Sequence, residues 1–210
     1  MKLTVTGIEN GRPIPERYAF AAPDPASHIH LSDNRNPGIE WSSLPEGTRS
    51  LVLLCVDPDA PGDPADANRE GREIPADLER TKFYHWVMID IPPGAGRIGE
   101  GAVADGITPH GKRNPGGPDG ARHGLNNYTQ WFDGDSDMEG RYFGYDGPCP
   151  PWNDSIVHHY HFRLLATDFA RCPVDGAFDG GKVEAALKGH VLGEAAVVGT
   201  YTLNPALRPA

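Results

Sequence analysis

Cysteine is scarce in this chain. Three residues in 210, Cys55, Cys149 and Cys172, make an odd number with no CxxC spacing, which argues against a disulfide framework and against a Cys-type zinc site. Positive charge is also short, with 19 Lys and Arg against 29 Asp and Glu and a formal net charge of -10. Such a chain must overcome its own field to approach a nucleic acid or an anionic membrane, so neither is an expected partner. No apolar run approaches the length of about 18 residues needed to span a bilayer. The opening Met1-Lys2-Leu3-Thr4-Val5 lacks the continuous apolar stretch of a leader, so a cytoplasmic protein without membrane insertion is expected. GxxxxGK[ST] does not occur, which leaves a P-loop type of nucleotide cradle without support.

Glycine and proline, by contrast, are abundant. The 26 glycines and 21 prolines make about 22% of the chain, against about 12% in average usage. Apolar runs alternate with these turn-rich stretches, the mark of a loop-rich, mainly β protein. No linker or internal repeat divides it, so one domain over 1–210 is expected. Leu51 to Val56 is apolar at consecutive positions and reads as a strand buried on both faces, ending at Asp57-Pro58. Phe83 to Ile91 and His158 to Thr167 read as two more strands, and 1–8 as an edge strand. Val183, Leu187 and Val191 recur at helical spacing, predicting a helix over 181–190, followed by a last strand over 196–203. The charged segment 62–82 suits an exposed loop with a helical turn near 76–79, and 94–154 is a long, polar, turn-rich region.

Chemistry concentrates around Gly147-Pro148-Cys149-Pro150-Pro151 and the His158-His159-Tyr160-His161 that follows. Three prolines in five residues fix φ and remove three donors, making a stiff wall. Strand alternation puts His158 and Tyr160 on one face with Phe162, and His159 and His161 on the other. On the upstream strand, alternation puts His85 with Val87 and Ile89. Two inward histidines, the strand-end acids Asp57 and Asp59 and a rigid loop together favour a site over simple core packing. An Asp57–His85 or Asp57–His158 pair would raise the proton affinity of the ring and hold a donor-rich pocket for a phosphate or carboxylate. Zinc is the rival reading, with His85, His158 and Asp57 as ligands, but the spacing fits no zinc pattern. Cys149 could be a nucleophile, yet between prolines it lacks a helix N-terminus to lower its pKa, so a filler role is favoured.

These blocks resemble the phosphatidylethanolamine-binding protein family, in its bacterial and archaeal Raf-kinase-inhibitor-like branch. The resemblance rests on Asp57-Pro58-Asp59-Ala60-Pro61, His85-Trp86-Val87, Gly147-Pro148-Cys149-Pro150-Pro151 with His158-His159-Tyr160, and Gly189-His190-Val191-Leu192-Gly193-Glu194. It implies an antiparallel β-sandwich with a few short peripheral helices, one near the C-terminus. It also implies an anion pocket for phosphate-like groups, walled by Asp57, His85, Gly147, Pro148, His158 and Tyr160 and flanked by Asp59 and Pro150. His85 and His158 would donate to the anion. No catalytic residue, resident metal or cofactor is called for. The partner would be an anionic or phosphorylated small ligand, or a protein carrying such a group, with regulation of kinases or hydrolases as one outcome. The alternative is a hydrolase with a histidine general base, with or without zinc. The segments 62–82 and 129–140 look enlarged relative to the family, which makes them candidates for a lid or a homodimer contact. No counterpart of a gating C-terminal helix follows Leu203, so an open pocket is expected.

Overall fold

The computed structural model describes residues 1–113 and 115–208; Asn114, Pro209 and Ala210 of the expected 1–210 span lie outside the described residues. Among the described residues ten strands form, β1 (Lys2–Val5), β2 (Ala21–Asp24), β3 (His28–Leu31), β4 (Ile39–Ser42), β5 (Ser50–Pro61), β6 (Arg80–Ile91), β7 (Arg97–Ile98), β8 (Arg122–His123), β9 (His158–Thr167) and β10 (Val191–Tyr201). Two short helices accompany them, α1 (Tyr128–Trp131) and α2 (Gly180–Ala186). A five-stranded antiparallel sheet runs in the order β10-β9-β5-β6-β8, a three-stranded sheet in the order β1-β4-β7, and β2 and β3 make a hairpin.

The consecutive apolar run of β5 is explained by what covers the large sheet. Leu51, Leu53 and Cys55 join Trp86, Met88, Tyr160 and Phe162 on one face, packed against Val5, Ile39, Trp41 and Ile98 of the smaller sheet. Val52, Leu54 and Val56 face the other way with Val87, Ile89 and Leu165, against Val183 of α2 and Leu187 just beyond it. A central strand buried on both sides has no room for alternation. Nor is the last strand confined to 196–203. β10 starts at Val191, and the predicted helix stops at Ala186 because Gly189, at φ 82, turns the chain left-handed into the strand. Among the described residues no helix is long and apolar enough to cross a membrane.

Two irregularities shape the site end of the sheet. Pro58 does not end β5; it lies where the β5–β6 register shifts between Asp57 and Ala60. The second corrects the predicted facing of His85. Cys55 pairs with Trp86 and Val56 with Tyr84, so His85 is an extra residue opposite the Cys55–Val56 step, a β-bulge. Tyr84 and Trp86, two apart, therefore face opposite sides of the sheet. His85 leaves the Val87–Ile89 face and packs edge-on to Tyr160, ring centroids 5.1 Å apart.

Candidate functional site

The bulge brings His85 onto the floor of a cavity of ≈ 40 Å³ with Asp57, His158 and Tyr160. Pro150 and Pro151 make one wall, Ala60, Pro61 and Phe83 another, and Tyr128 and Trp131 of α1 a third. Hydroxyl, imidazole and carboxylate thus lie beneath an apolar collar.

His158 sits between two carboxylates. Its Nδ1 is 2.8 Å from Asp57 Oδ2 and its Nε2 3.0 Å from Asp154 Oδ2. Burial works against a charged ring, but the bonds and charges of Asp154 and Asp57 outweigh it and push the pKa up to about 9. Asp154 is held in turn by a bidentate ion pair with Arg80, at 2.6 and 3.0 Å. Burial opposes the Asp154 charge, yet the bonds from His158 and Arg80 leave its pKa lowered. Asp57, His158, Asp154 and Arg80 therefore alternate in sign and cancel. Both ring nitrogens of His158 are spent, so it holds Asp57 in place rather than offering the expected donor to a ligand.

His85 is different. Its Nδ1 donates to the Asp146 carbonyl at 2.8 Å, and its Nε2 makes no hydrogen bond among the described residues. Burial pushes its pKa down, against the pull of Asp57 and of the Asp146 bond, so the ring is neutral with Nε2 as an acceptor. Behind it, the buried Asp146 carboxylate takes Asn34 and Asn126 at 2.7 Å each and Lys112 at 3.1 Å, which fixes the loop that positions His85. Tyr160 completes the floor. Its side chain is fully buried, and its hydroxyl lies beside the Asp57 carboxylate without a well-formed hydrogen bond among the described residues.

The other expected site residues separate from these four. Pro150 lines the cavity. Gly147 and Pro148 lie behind the wall: the Gly147 amide donates to Asn34 and its carbonyl accepts from Tyr128, while the Pro148 carbonyl accepts from Phe20. Asp59 faces outward, taking the His159 amide and ring at 2.9 and 2.8 Å. Cys149 lines the cavity, and burial raises its thiol to about 12. Among the described residues no group of three or more His, Cys, Asp or Glu is arranged to hold a metal ion. Sequence reading passes over Tyr128, Trp131, Asp154 and Arg80. The enlarged 129–140 segment, which begins within α1 and supplies Trp131, is the one signal for any of them.

A two-sheet β-sandwich with a small, polar-floored pocket at one sheet end defines a class of ligand-binding scaffold. The chain belongs to the phosphatidylethanolamine-binding protein family, whose model matches residues 4–202. A UPF0098 protein of Methanothermobacter thermautotrophicus is 33% identical over 177 residues, 84% of this chain and 89% of its own length. Escherichia coli YbhB is 25% identical over 202 residues, 96% of this chain and all of its own. The crystal structure of Escherichia coli YbcL, a member of the mammalian PEBP family, superposes with a TM-score of 0.69 at 24% identity, covering 96% of this chain and 97% of that one.

Proposed function

We propose that this protein binds, without transforming, a phosphate-like group in the cavity above His85 and Tyr160. The observation that carries the reading is the Tyr160 hydroxyl, buried beside Asp57 on the cavity floor without a well-formed hydrogen bond among the described residues. A buried polar group left unsatisfied costs about 1–3 kcal/mol, and a ligand oxygen accepting from it removes that cost. The free Nε2 of His85 supports the same reading, since no group among the described residues occupies it and a ligand O–H can donate to it. A volume of ≈ 40 Å³ holds on the order of three water-sized groups, the size of the oxygens of one phosphoryl group. The apolar collar strengthens each bond made inside it. A phospholipid headgroup, a free phosphorylated metabolite or a phosphorylated side chain of a partner protein presents that same group.

Calorimetric titration of phosphoethanolamine into wild type and His85→Ala tests this. Saturable binding to wild type, weakened at least about tenfold in the variant, supports it. No heat with wild type overturns it, and release of inorganic phosphate from p-nitrophenyl phosphate would favour the hydrolase alternative instead.

A further inference from the structure

Asp57 is an odd residue to find on the floor of an anion pocket. It is 2% exposed and lines the cavity beside His85 and Tyr160. Its Oδ1 accepts the Asp59 amide at 2.8 Å, and its Oδ2 takes the His158 ring at 2.8 Å. A carboxylate has about four acceptor positions, so with the Tyr160 hydroxyl beside it about one stays open. Among the described residues around it no positive charge is left over, because His158 is shared with Asp154 and Asp154 with Arg80. Lys112, behind the His85 loop, is committed to Asp146 and the Tyr145 carbonyl. The Tyr128 hydroxyl is spent on the Gly147 carbonyl at 2.7 Å. Neutral His85 offers Nε2 as an acceptor, which leaves Tyr160, beside Asp57, as the hydroxyl donor on the floor among the described residues.

A floor with one hydroxyl donor beside a carboxylate and a ring acceptor does not suit a fully deprotonated oxyanion, whose lone pairs would meet those of Asp57. An oxyanion that keeps one O–H can donate it to Asp57 or to His85 Nε2 while accepting from Tyr160. We infer that Asp57 is a specificity-determining residue that selects the protonated phosphoryl group, a phosphomonoester monoanion or hydrogen phosphate, and rejects sulfate and its esters. A sulfate ester has no proton to donate near neutral pH, and a site built around a ligand hydroxyl strongly rejects the analogue that lacks it. A phosphomonoester that arrives as a dianion takes one proton from solvent on binding, with no covalent bond made or broken. The inference rests on the proposed phosphate reading and refines it.

The test is calorimetry of wild type with ethyl phosphate and ethyl sulfate at about pH 8, well above the second pKa of a phosphomonoester near 6, in two buffers of different ionisation enthalpy. Ethyl phosphate should bind at least about 100-fold more tightly than ethyl sulfate, with close to one proton taken up per ligand. Asp57→Asn, which presents an amide donor, should narrow the gap below about tenfold. That variant also disturbs the bond to His158, so the wild-type proton count stands as an independent measurement. Equal binding of the two esters, or phosphate binding without proton uptake, overturns this inference and leaves the phosphate pocket standing. Binding of neither ester overturns both.

Discussion

Asp154→Asn removes one of the two carboxylates that keep His158 charged. In the folded protein the ring has a pKa of about 9 against an ordinary value of 6.5. At about 1.36 kcal/mol per pKa unit, the clamp is worth roughly 3 kcal/mol of stability. The folded pKa is the raised one, so this contribution is whole below pH 6.5 and fades as pH climbs through about 9. With Asp57 alone the pKa falls back towards the ordinary value, and about half the contribution, 1–2 kcal/mol, disappears. Urea unfolding of wild type and variant, run near pH 6 and again near pH 10, reads the difference directly. The variant should be weaker at the lower pH, and the gap should shrink by about 1–2 kcal/mol at the higher one. A gap that stays constant across that range, or a wild-type His158 that titrates near 6.5 by NMR, refutes the clamp.

Other perturbations separate binding from folding. Tyr160→Phe deletes a buried hydroxyl without a well-formed hydrogen bond among the described residues, so stability should hold or rise by up to about 1 kcal/mol while phosphate affinity falls about tenfold; a clear drop in melting temperature would show that the hydroxyl is satisfied within the protein. Gly147→Ala places a Cβ 2.0 Å from the Tyr18 carbonyl oxygen and 2.9 Å from the Ala19 backbone. Neither neighbour is a flexible side-chain tip, so a loss on the order of 3 kcal/mol is expected in denaturant titration, and a loss below about 1 kcal/mol would contradict the close approach. Cys149, its thiol pushed up to about 12 by burial, should react with iodoacetamide at least about 100-fold more slowly than a small free thiol at pH 8; labelling at the free-thiol rate would contradict that burial.

The features legible in the sequence are those that repeat. The unbroken apolar run from Leu51 to Val56 reads as a doubly covered strand, and the alternation through His158, Tyr160 and Phe162 assigns those side chains to one face, as the packing shows. His85 is not legible in the same way. Alternation sends it to the Val87 face, and no glycine or proline within Tyr84-His85-Trp86 marks the bulge that turns it back. The role of His158 is hidden for another reason. The carboxylate that occupies its second nitrogen is only four positions away, but the arginine fixing that carboxylate lies 74 residues from it, and no local pattern encodes such a pair. Gly147 and Pro148 sit in the wall motif but behind the cavity, because a contiguous motif does not say which of its residues face inward. Trp131 belongs to an enlarged segment whose length is visible and whose placement over the pocket is not.

Two histidines share one floor with different duties, His85 open at Nε2 and His158 closed at both nitrogens. Following the imidazole ring nitrogens of both by NMR while titrating ethyl phosphate tests this most directly. A large, saturable shift of His85 Nε2 with His158 nearly stationary is the predicted result. Rings that both stay still, or a response confined to His158, would contradict it.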